Sequence, residues 1–316
     1  MSDSEHTPYE PEQGSIPLPE QVLAPTAQTA DDSLGLFHSW PQTEIARPKR
    51  IPHFGHLCLL TLLALAGSIC GAALVMAGMH FHIYGVTTMD QAKSNVCYTL
   101  GSTAALYLVA FLPSLAFFPL FWKKSFFAGV HWRGATALRL GWKLPAISVG
   151  CFTLALLNQA LLPGPKHAPI EDIFRSPGAA WLMFGFGVVF APFFEEMAFR
   201  GFMLPALATA WDWAIEKSTG KPARPLDENG HPQWSIFAMV IASIPASILF
   251  ALMHTEQQGR SLSLFLLFIT ISMILCAVRI VTRSLAASTV VHACYNFMLF
   301  FLMLVSTGGF RHLDKL

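Results

Sequence analysis

The chain has 316 residues, of which 53% are hydrophobic and only 12% are charged. This balance lies outside the range of soluble globular domains and predicts a membrane protein. The formal net charge is +1, and the sequence contains no Gly-rich phosphate loop and no interleaving of aromatic and basic residues. Nucleic acid is therefore excluded as a partner.

Residues 1–50 differ in composition from the rest of the chain. They are rich in Pro, Glu, Gln, Ser and Thr and have too few apolar residues to form a core, which predicts a disordered tail. No short apolar segment lies near the start, so the sequence does not predict a cleavable signal peptide. The remaining residues, 51–316, are predicted to form a transmembrane bundle.

Seven windows after residue 50 are almost free of charged residues. They cover residues 54–79, 99–122, 144–162, 178–194, 235–253, 261–278 and 285–305. Each can form a helix that crosses the bilayer, which needs about 20 apolar residues. The windows are continuously apolar, whereas the strands of a membrane barrel alternate. The predicted fold class is all-α, a polytopic transmembrane bundle of about seven to eight spans that contacts membrane lipid.

The distribution of Lys and Arg predicts the orientation of the bundle. Three of the 20 lie in 47–50, five in 123–143, three in 217–224 and two in 279–283, which makes 13 on one side. Six lie on the other side, and Arg200 lies within the membrane region. Because Lys and Arg favour the cytoplasmic side, we expect a cytoplasmic N-terminus in the plasma (inner) membrane.

Two adjacent carboxylates, Glu195 and Glu196, end the fourth apolar window. Ionisable side chains in a span cost about 2.5–3.5 kcal/mol each on insertion scales, so they indicate a functional site. Glu196 and Arg200 are four residues apart on one helix face and are expected to form an ion pair. Glu195 points about 100° away and lacks a local cation, which suits it to take a proton from water. We expect this helix to continue as far as Pro205.

Three further polar residues lie in the last part of the chain. His254 closes the fifth window, and its helix is expected to continue to about Gly259 if His254 lies within the membrane. His292 and Asn296 are four residues apart in the last window and can donate hydrogen bonds to one oxygen. Each residue alone has an ordinary structural interpretation, such as a polar clamp between helices. Together with Glu195, they are expected to converge on one cavity.

Read in order, three motifs resemble those of the CPBP intramembrane protease family, which includes type II CAAX prenyl endopeptidases and lysostaphin-resistance-protein-A-like proteins. The motifs are Glu195-Glu196-x-x-x-Arg200, Phe250-x-x-x-His254 and His292-x-x-x-Asn296. The resemblance covers about residues 175–305. It implies an intramembrane endopeptidase that acts on a membrane-associated peptide or lipidated protein, a prenylated CAAX protein being the namesake substrate.

The resemblance also implies a role for each motif residue. Glu195 and His254 would activate water, Glu196 and Arg200 would support the helix and its charge, and His292 and Asn296 would stabilise the oxyanion. Those six are the candidate site residues.

The sequence disfavours other proteolytic mechanisms and leaves one other class of protein open. The motifs H-E-x-x-H, G-x-S-x-G and G-x-G-D are absent from the spans, which disfavours zincins and serine or aspartyl intramembrane proteases. The alternative is a non-catalytic membrane protein, either a proton-coupled transporter or an immunity-type scaffold. A transporter is expected to repeat its broken polar helices in both halves, whereas this chain concentrates them in the second half.

A zinc site is the alternative to a metal-free mechanism. Glu195, His254 and His292 could supply two His and one Glu ligand, with water in the fourth position. Asn296 is a poor zinc ligand and would have no evident use beside the metal, but it pairs readily with His292 as an oxyanion donor. We therefore expect a mechanism that requires no cofactor.

Overall fold

The structure, a computed structural model, describes residues 50–163, 173–174, 176–220, 234–255 and 259–313. Besides short 3₁₀ turns, these residues form ten helices and no strand. The helices are α1 Phe54–His80, α2 Met89–Lys93, α3 Val96–Trp122, α4 Phe126–Gly129, α5 Gly134–Leu140, α6 Lys143–Leu161, α7 Pro177–Thr219, α8 Ile236–Thr255, α9 Leu262–Thr282 and α10 Leu285–Ser306. Of the predicted disordered tail, residues 1–50, all but Arg50 lie outside the described residues.

Seven of the described helices, α1, α3 and α6 to α10, are long and apolar enough to cross a membrane. This confirms the predicted all-α transmembrane bundle, and the protein is an integral, multi-pass membrane protein. The outer surface of α1 shows why the fold needs lipid. Leu62, Leu65 and Ile69 are 63%, 57% and 65% exposed, and a continuous apolar surface of this kind is stable in hydrocarbon rather than in water.

Glycines on α1 bring α3 close to it. A Cβ atom at Gly67 would lie 2.6 Å from the carbonyl oxygen of Leu106, and one at Gly71 would lie 2.7 Å from that of Ser102. Small residues let transmembrane helices approach closely in this way. This close contact fixes the position of α3 along the axis of α1. Tyr107 lies on α3, on the side that faces α7.

The long helix α7 contains two π-helical segments, Phe186–Phe190 and Met197–Met203. It continues as far as Pro205, as expected, and extends beyond it to Thr219. The second π segment explains the extension, because the Leu204 amide bonds the Phe199 carbonyl, five residues back. Pro205 follows directly, at the start of a new α-helical segment, where a missing N–H is tolerated. The chain is therefore helical as far as Thr219, and residues 221–233 lie outside the described residues.

Candidate active site

A buried ion pair lies at the centre of the bundle. Glu196 and Arg200, both 0% exposed, contact each other with 2.9 Å between Oε1 and Nη1. The other terminal nitrogen of Arg200 donates to the hydroxyl and the carbonyl oxygen of Ser272 on α9, at 2.7 and 3.1 Å. The guanidinium also lies 4.7 Å from the ring centre of Phe250 on α8. The predicted pair is present, and it joins three helices.

His292 extends this pair towards Glu195. Its Nδ1 lies 3.1 Å from Oε1 of Glu196. Because an ionised carboxylate only accepts hydrogen bonds, Nδ1 is the donor. The other ring nitrogen, Nε2, then faces Oε2 of Glu195 at 3.8 Å. The sequence predicted no contact between His292 and Glu196, which lie on different helices.

His254 approaches the same carboxylate from α8. Its Nδ1 lies 2.8 Å from the carbonyl oxygen of Phe250, which can only accept, so Nδ1 is again the donor. Nε2 faces Oε1 of Glu195 at 3.9 Å. The ring stacks on Phe268 with 4.9 Å between centroids, which holds it in this direction.

The described part of α8 reaches Thr255, one residue after His254. Residues 256–258, on which the predicted continuation to about Gly259 depends, lie outside the described residues. The amide of Arg260 donates to the carbonyl oxygen of Thr255, at 2.9 Å. Among the described residues, the Phe250 carbonyl and the ring of Phe268 hold His254.

Glu195 lies between the two imidazoles. Separations of 3.8 and 3.9 Å are too long for direct hydrogen bonds and short enough for a bridging water. The carboxylate accepts one direct hydrogen bond, 3.2 Å from the Tyr107 hydroxyl to Oε1. Tyr107 was missed in the sequence because it is a single tyrosine in an apolar window. The available signal was that a tyrosine hydroxyl within a span needs a partner.

Asn296 contacts the backbone of α7. Its Nδ2 donates to the carbonyl oxygen of Gly187 at 2.8 Å. In this π-helical segment, the Ala191 amide bonds the carbonyl of Phe186, five residues back. The next residue, Pro192, has no N–H, so it cannot bond the carbonyl of Gly187. Asn296 supplies the missing donor with one of its two amide hydrogens. The other hydrogen is left for a second acceptor.

The four predicted catalytic residues, Glu195, His254, His292 and Asn296, line one cavity of about 720 Å³. The rest of its lining is mainly apolar and comes from α3, from α7 to α10 and from Ile173. Lys93 lies at one end, where α3 begins. Glu196 and Arg200 do not line the cavity. Glu196 contacts His292, which does, and Arg200 pairs with Glu196. The expected convergence of the four residues is present.

The fold and the site define a class, a polytopic helical membrane protein with a glutamate, two histidines and an asparagine facing an internal cavity. Residues 177–298 match the family described as type II CAAX prenyl endopeptidase Rce1-like. The chain therefore carries an Rce1-like domain, which confirms the sequence resemblance. All six motif residues lie in it, whereas α1 to α6 lie outside it. Comparison with curated proteins and with solved structures gave no match.

Proposed function

We propose that this protein is an intramembrane endopeptidase that hydrolyses a peptide bond of a membrane-associated substrate. The observation that carries the proposal is the position of Glu195. Its two carboxylate oxygens face Nε2 of His254 at 3.9 Å and Nε2 of His292 at 3.8 Å, in a cavity of about 720 Å³. The Rce1-like domain supports it, because that family is a protease family.

Glu195 and His254 activate the attacking water in this proposal. Both present a lone pair to the space between them, so a water there donates one hydrogen to each. As its oxygen adds to the scissile carbonyl carbon, Glu195 takes the proton. Glu195 then gives that proton to the amide nitrogen as the C–N bond breaks, which leaves a carboxylic acid, an amine and the original carboxylate.

His292 and Asn296 stabilise the oxyanion of the tetrahedral intermediate. Asn296 donates the amide hydrogen that Gly187 does not use. Because Nδ1 of His292 donates to Glu196, His292 can also donate through Nε2 only as an imidazolium. Donors held in place before the reaction are worth about 10²- to 10³-fold in kcat each.

The proposed mechanism uses no metal. Glu195, His254 and His292 have the atom types of a zinc site, but the described residues contain no group of three such side chains spaced to hold a metal ion. Neighbouring ligands of tetrahedral zinc are about 3.3 Å apart, and the corresponding separations here are 3.9 and 3.8 Å. Asn296 would keep a use beside zinc, because it caps the backbone carbonyl of Gly187. The proposed mechanism is metal-free because Glu195 and His254 can activate water without a metal ion.

Elemental analysis followed by chelation tests the metal question. We expect zinc far below one atom per chain in active purified protein, and full turnover in the presence of a chelator. One bound zinc per chain, with activity lost on removal and restored on return, would overturn the metal-free mechanism and leave the same side chains in the site.

The proposed substrate is a peptide whose chain reaches the cavity from the membrane, with a prenylated CAAX protein as the first candidate. The apolar lining between Glu195 and Lys93 suits a lipidated or apolar peptide. We propose in addition that the N-terminus is cytoplasmic and that the membrane is the plasma (inner) membrane, from the excess of Lys and Arg on the N-terminal side.

Turnover of a farnesylated CAAX peptide, beside the same peptide without the prenyl group, tests the proposal. The protein is purified into lipid nanodiscs as wild type, Glu195→Gln and Glu216→Gln. Glu216 pairs with Arg50 at 2.7 Å outside the cavity, so its variant controls for loss of a carboxylate. We expect Glu195→Gln to lose about 10²- to 10⁴-fold in turnover, and Glu216→Gln to retain it.

The outcomes separate the two classes of function. Wild-type turnover in Glu195→Gln would assign the base to another residue and overturn the mechanism. Folded wild-type protein that cleaves neither peptide would favour the non-catalytic alternative, a transporter or a scaffold.

A further inference from the structure

Tyr107 reaches the candidate base from outside the Rce1-like domain. It lies on α3, and its hydroxyl is 3.2 Å from Oε1 of Glu195. Among the residues that the structure describes, it is the only side chain within hydrogen-bonding distance of Glu195, because both imidazoles lie at 3.8 Å or more. Since the carboxylate accepts, the phenol is the donor.

The ring of Tyr107 is held against α7 independently of its hydroxyl. It stacks on Phe194 with 5.0 Å between centroids and 16° between planes, and on Phe186 with 6.2 Å and 12°. The ring of Phe190 lies 6.3 Å away. These three phenylalanines are spaced four residues apart and form one face of the helix that carries Glu195. A change that removes only the hydroxyl therefore leaves the ring in place.

We propose that Tyr107 is a positioning residue for the hydrolysis, and this inference rests on the proposed function. The terminal torsion of a glutamate has a broad preference, and neither imidazole bonds the carboxylate directly. The Tyr107 hydroxyl fixes Oε1, so that Oε1 faces His254 and Oε2 faces His292. Water between Glu195 and His254 then meets a lone pair in a constant direction.

Kinetics of Tyr107→Phe, with Tyr98→Phe as the matched control, test the positioning role. Tyr98 lies on the same helix, and its hydroxyl donates to the carbonyl of Ile83 at 3.0 Å, away from the cavity. With the farnesylated peptide, we expect Tyr107→Phe to lower kcat roughly 10- to 100-fold, as for a misplaced catalytic group, and to leave KM within about twofold. Tyr98→Phe should leave kcat unchanged.

Two kinetic results would overturn the inference. One is a kcat for Tyr107→Phe within about twofold of wild type. The other is a raised KM with an unchanged kcat, which would make Tyr107 a substrate contact. Neither result would affect Glu195→Gln, so the proposed function stands or fails separately.

A double-mutant cycle on melting temperature tests the Tyr107–Glu195 contact without turnover. We expect Tyr107→Phe to lower the melting temperature by roughly 2–6 °C in wild type and by much less in Glu195→Ala. Equal shifts in both backgrounds would show that the two side chains do not interact and would overturn the positioning role. If wild type cleaves neither peptide, the proposed function fails, and the positioning role fails with it.

Discussion

At the scale of single residues, one carboxylate oxygen links the structural and the catalytic parts of the site. Oε1 of Glu196 contacts Nη1 of Arg200 at 2.9 Å and Nδ1 of His292 at 3.1 Å. The sequence assigned Glu196 to the support of its own helix. The structure adds that Glu196 sets the direction of His292, so that Nε2 faces Glu195.

Glu196→Ala is expected to destabilise the protein by about 3–5 kcal/mol, because it leaves the fully buried Arg200 without its carboxylate. It should also lower turnover, since His292 loses the acceptor that orients it. Thermal melting in detergent measures the first effect. Asp90→Asn is the control, because Asp90 is 97% exposed and lies 3.9 Å from Lys93, a surface pair of little energetic value. Equal melting temperatures for Glu196→Ala and Asp90→Asn would contradict the role of Glu196 in the buried ion pair.

Among the helices, α7 has two π-helical segments, and the first of them, Phe186–Phe190, affects the direction of the carboxylates that follow it. Ala191–Glu196 is a short α-helical segment between the two π-helical segments. A π-helical turn contains one extra residue, which rotates the side chains that follow by about 100°. The direction of Glu195 therefore depends on the segment before it, where Asn296 bonds the carbonyl of Gly187.

Asn296→Ala is expected to cost about 1–3 kcal/mol, because the carbonyl of Gly187 loses its donor. Pro192→Ala should reduce that cost, since an alanine at this position supplies the N–H that proline lacks. Chemical denaturation of the single and double variants measures the coupling.

Asn158→Ala is the matched control for this cycle. Asn158 makes the same kind of bond, from Nδ2 to the carbonyl of Ser263 at 3.1 Å, on helices that do not contain Pro192. Asn158→Ala should lower the free energy of unfolding by the same amount with and without Pro192→Ala. If the effect of Asn296→Ala is also the same in both backgrounds, the proline does not create the unsatisfied carbonyl.

At the scale of the whole molecule, the cavity extends towards one end of the bundle. It runs from Glu195 to Lys93, whose side chain is 72% exposed. The end of α10 lies at the same end, because Phe310 packs with Phe174 and Ala180 at the start of α7. The excess of Lys and Arg lies at the opposite end. If that end is cytoplasmic, the cavity is reached from the other side of the membrane.

Fusions of a fluorescent protein to the full chain test this orientation in a bacterial host. An odd number of spans, seven among the described residues, places the two termini on opposite sides. Green fluorescent protein matures in the cytoplasm, so we expect fluorescence from the N-terminal fusion and none from the C-terminal one, with the reverse for alkaline phosphatase activity. A fluorescent C-terminal fusion would place the cavity on the cytoplasmic side.

Features that depend on residues close together in the chain could be predicted from the sequence. Apolar windows predicted the spanning helices because hydropathy and length suffice for a helix in lipid. Spacing of four residues predicted the pair of Glu196 with Arg200 and the common face of His292 and Asn296. Because a polar group within a span costs free energy, Glu195 and His254 could also be identified as candidate site residues.

The contacts between these helices, in contrast, could not be predicted from the sequence. The Tyr107–Glu195 and His292–Glu196 hydrogen bonds join residues 88 and 96 positions apart, which no local pattern encodes. The continuation of α7 past Pro205 has the same origin. It depends on which backbone groups neighbouring helices and π-helical turns satisfy, because no water in the hydrocarbon region can do so.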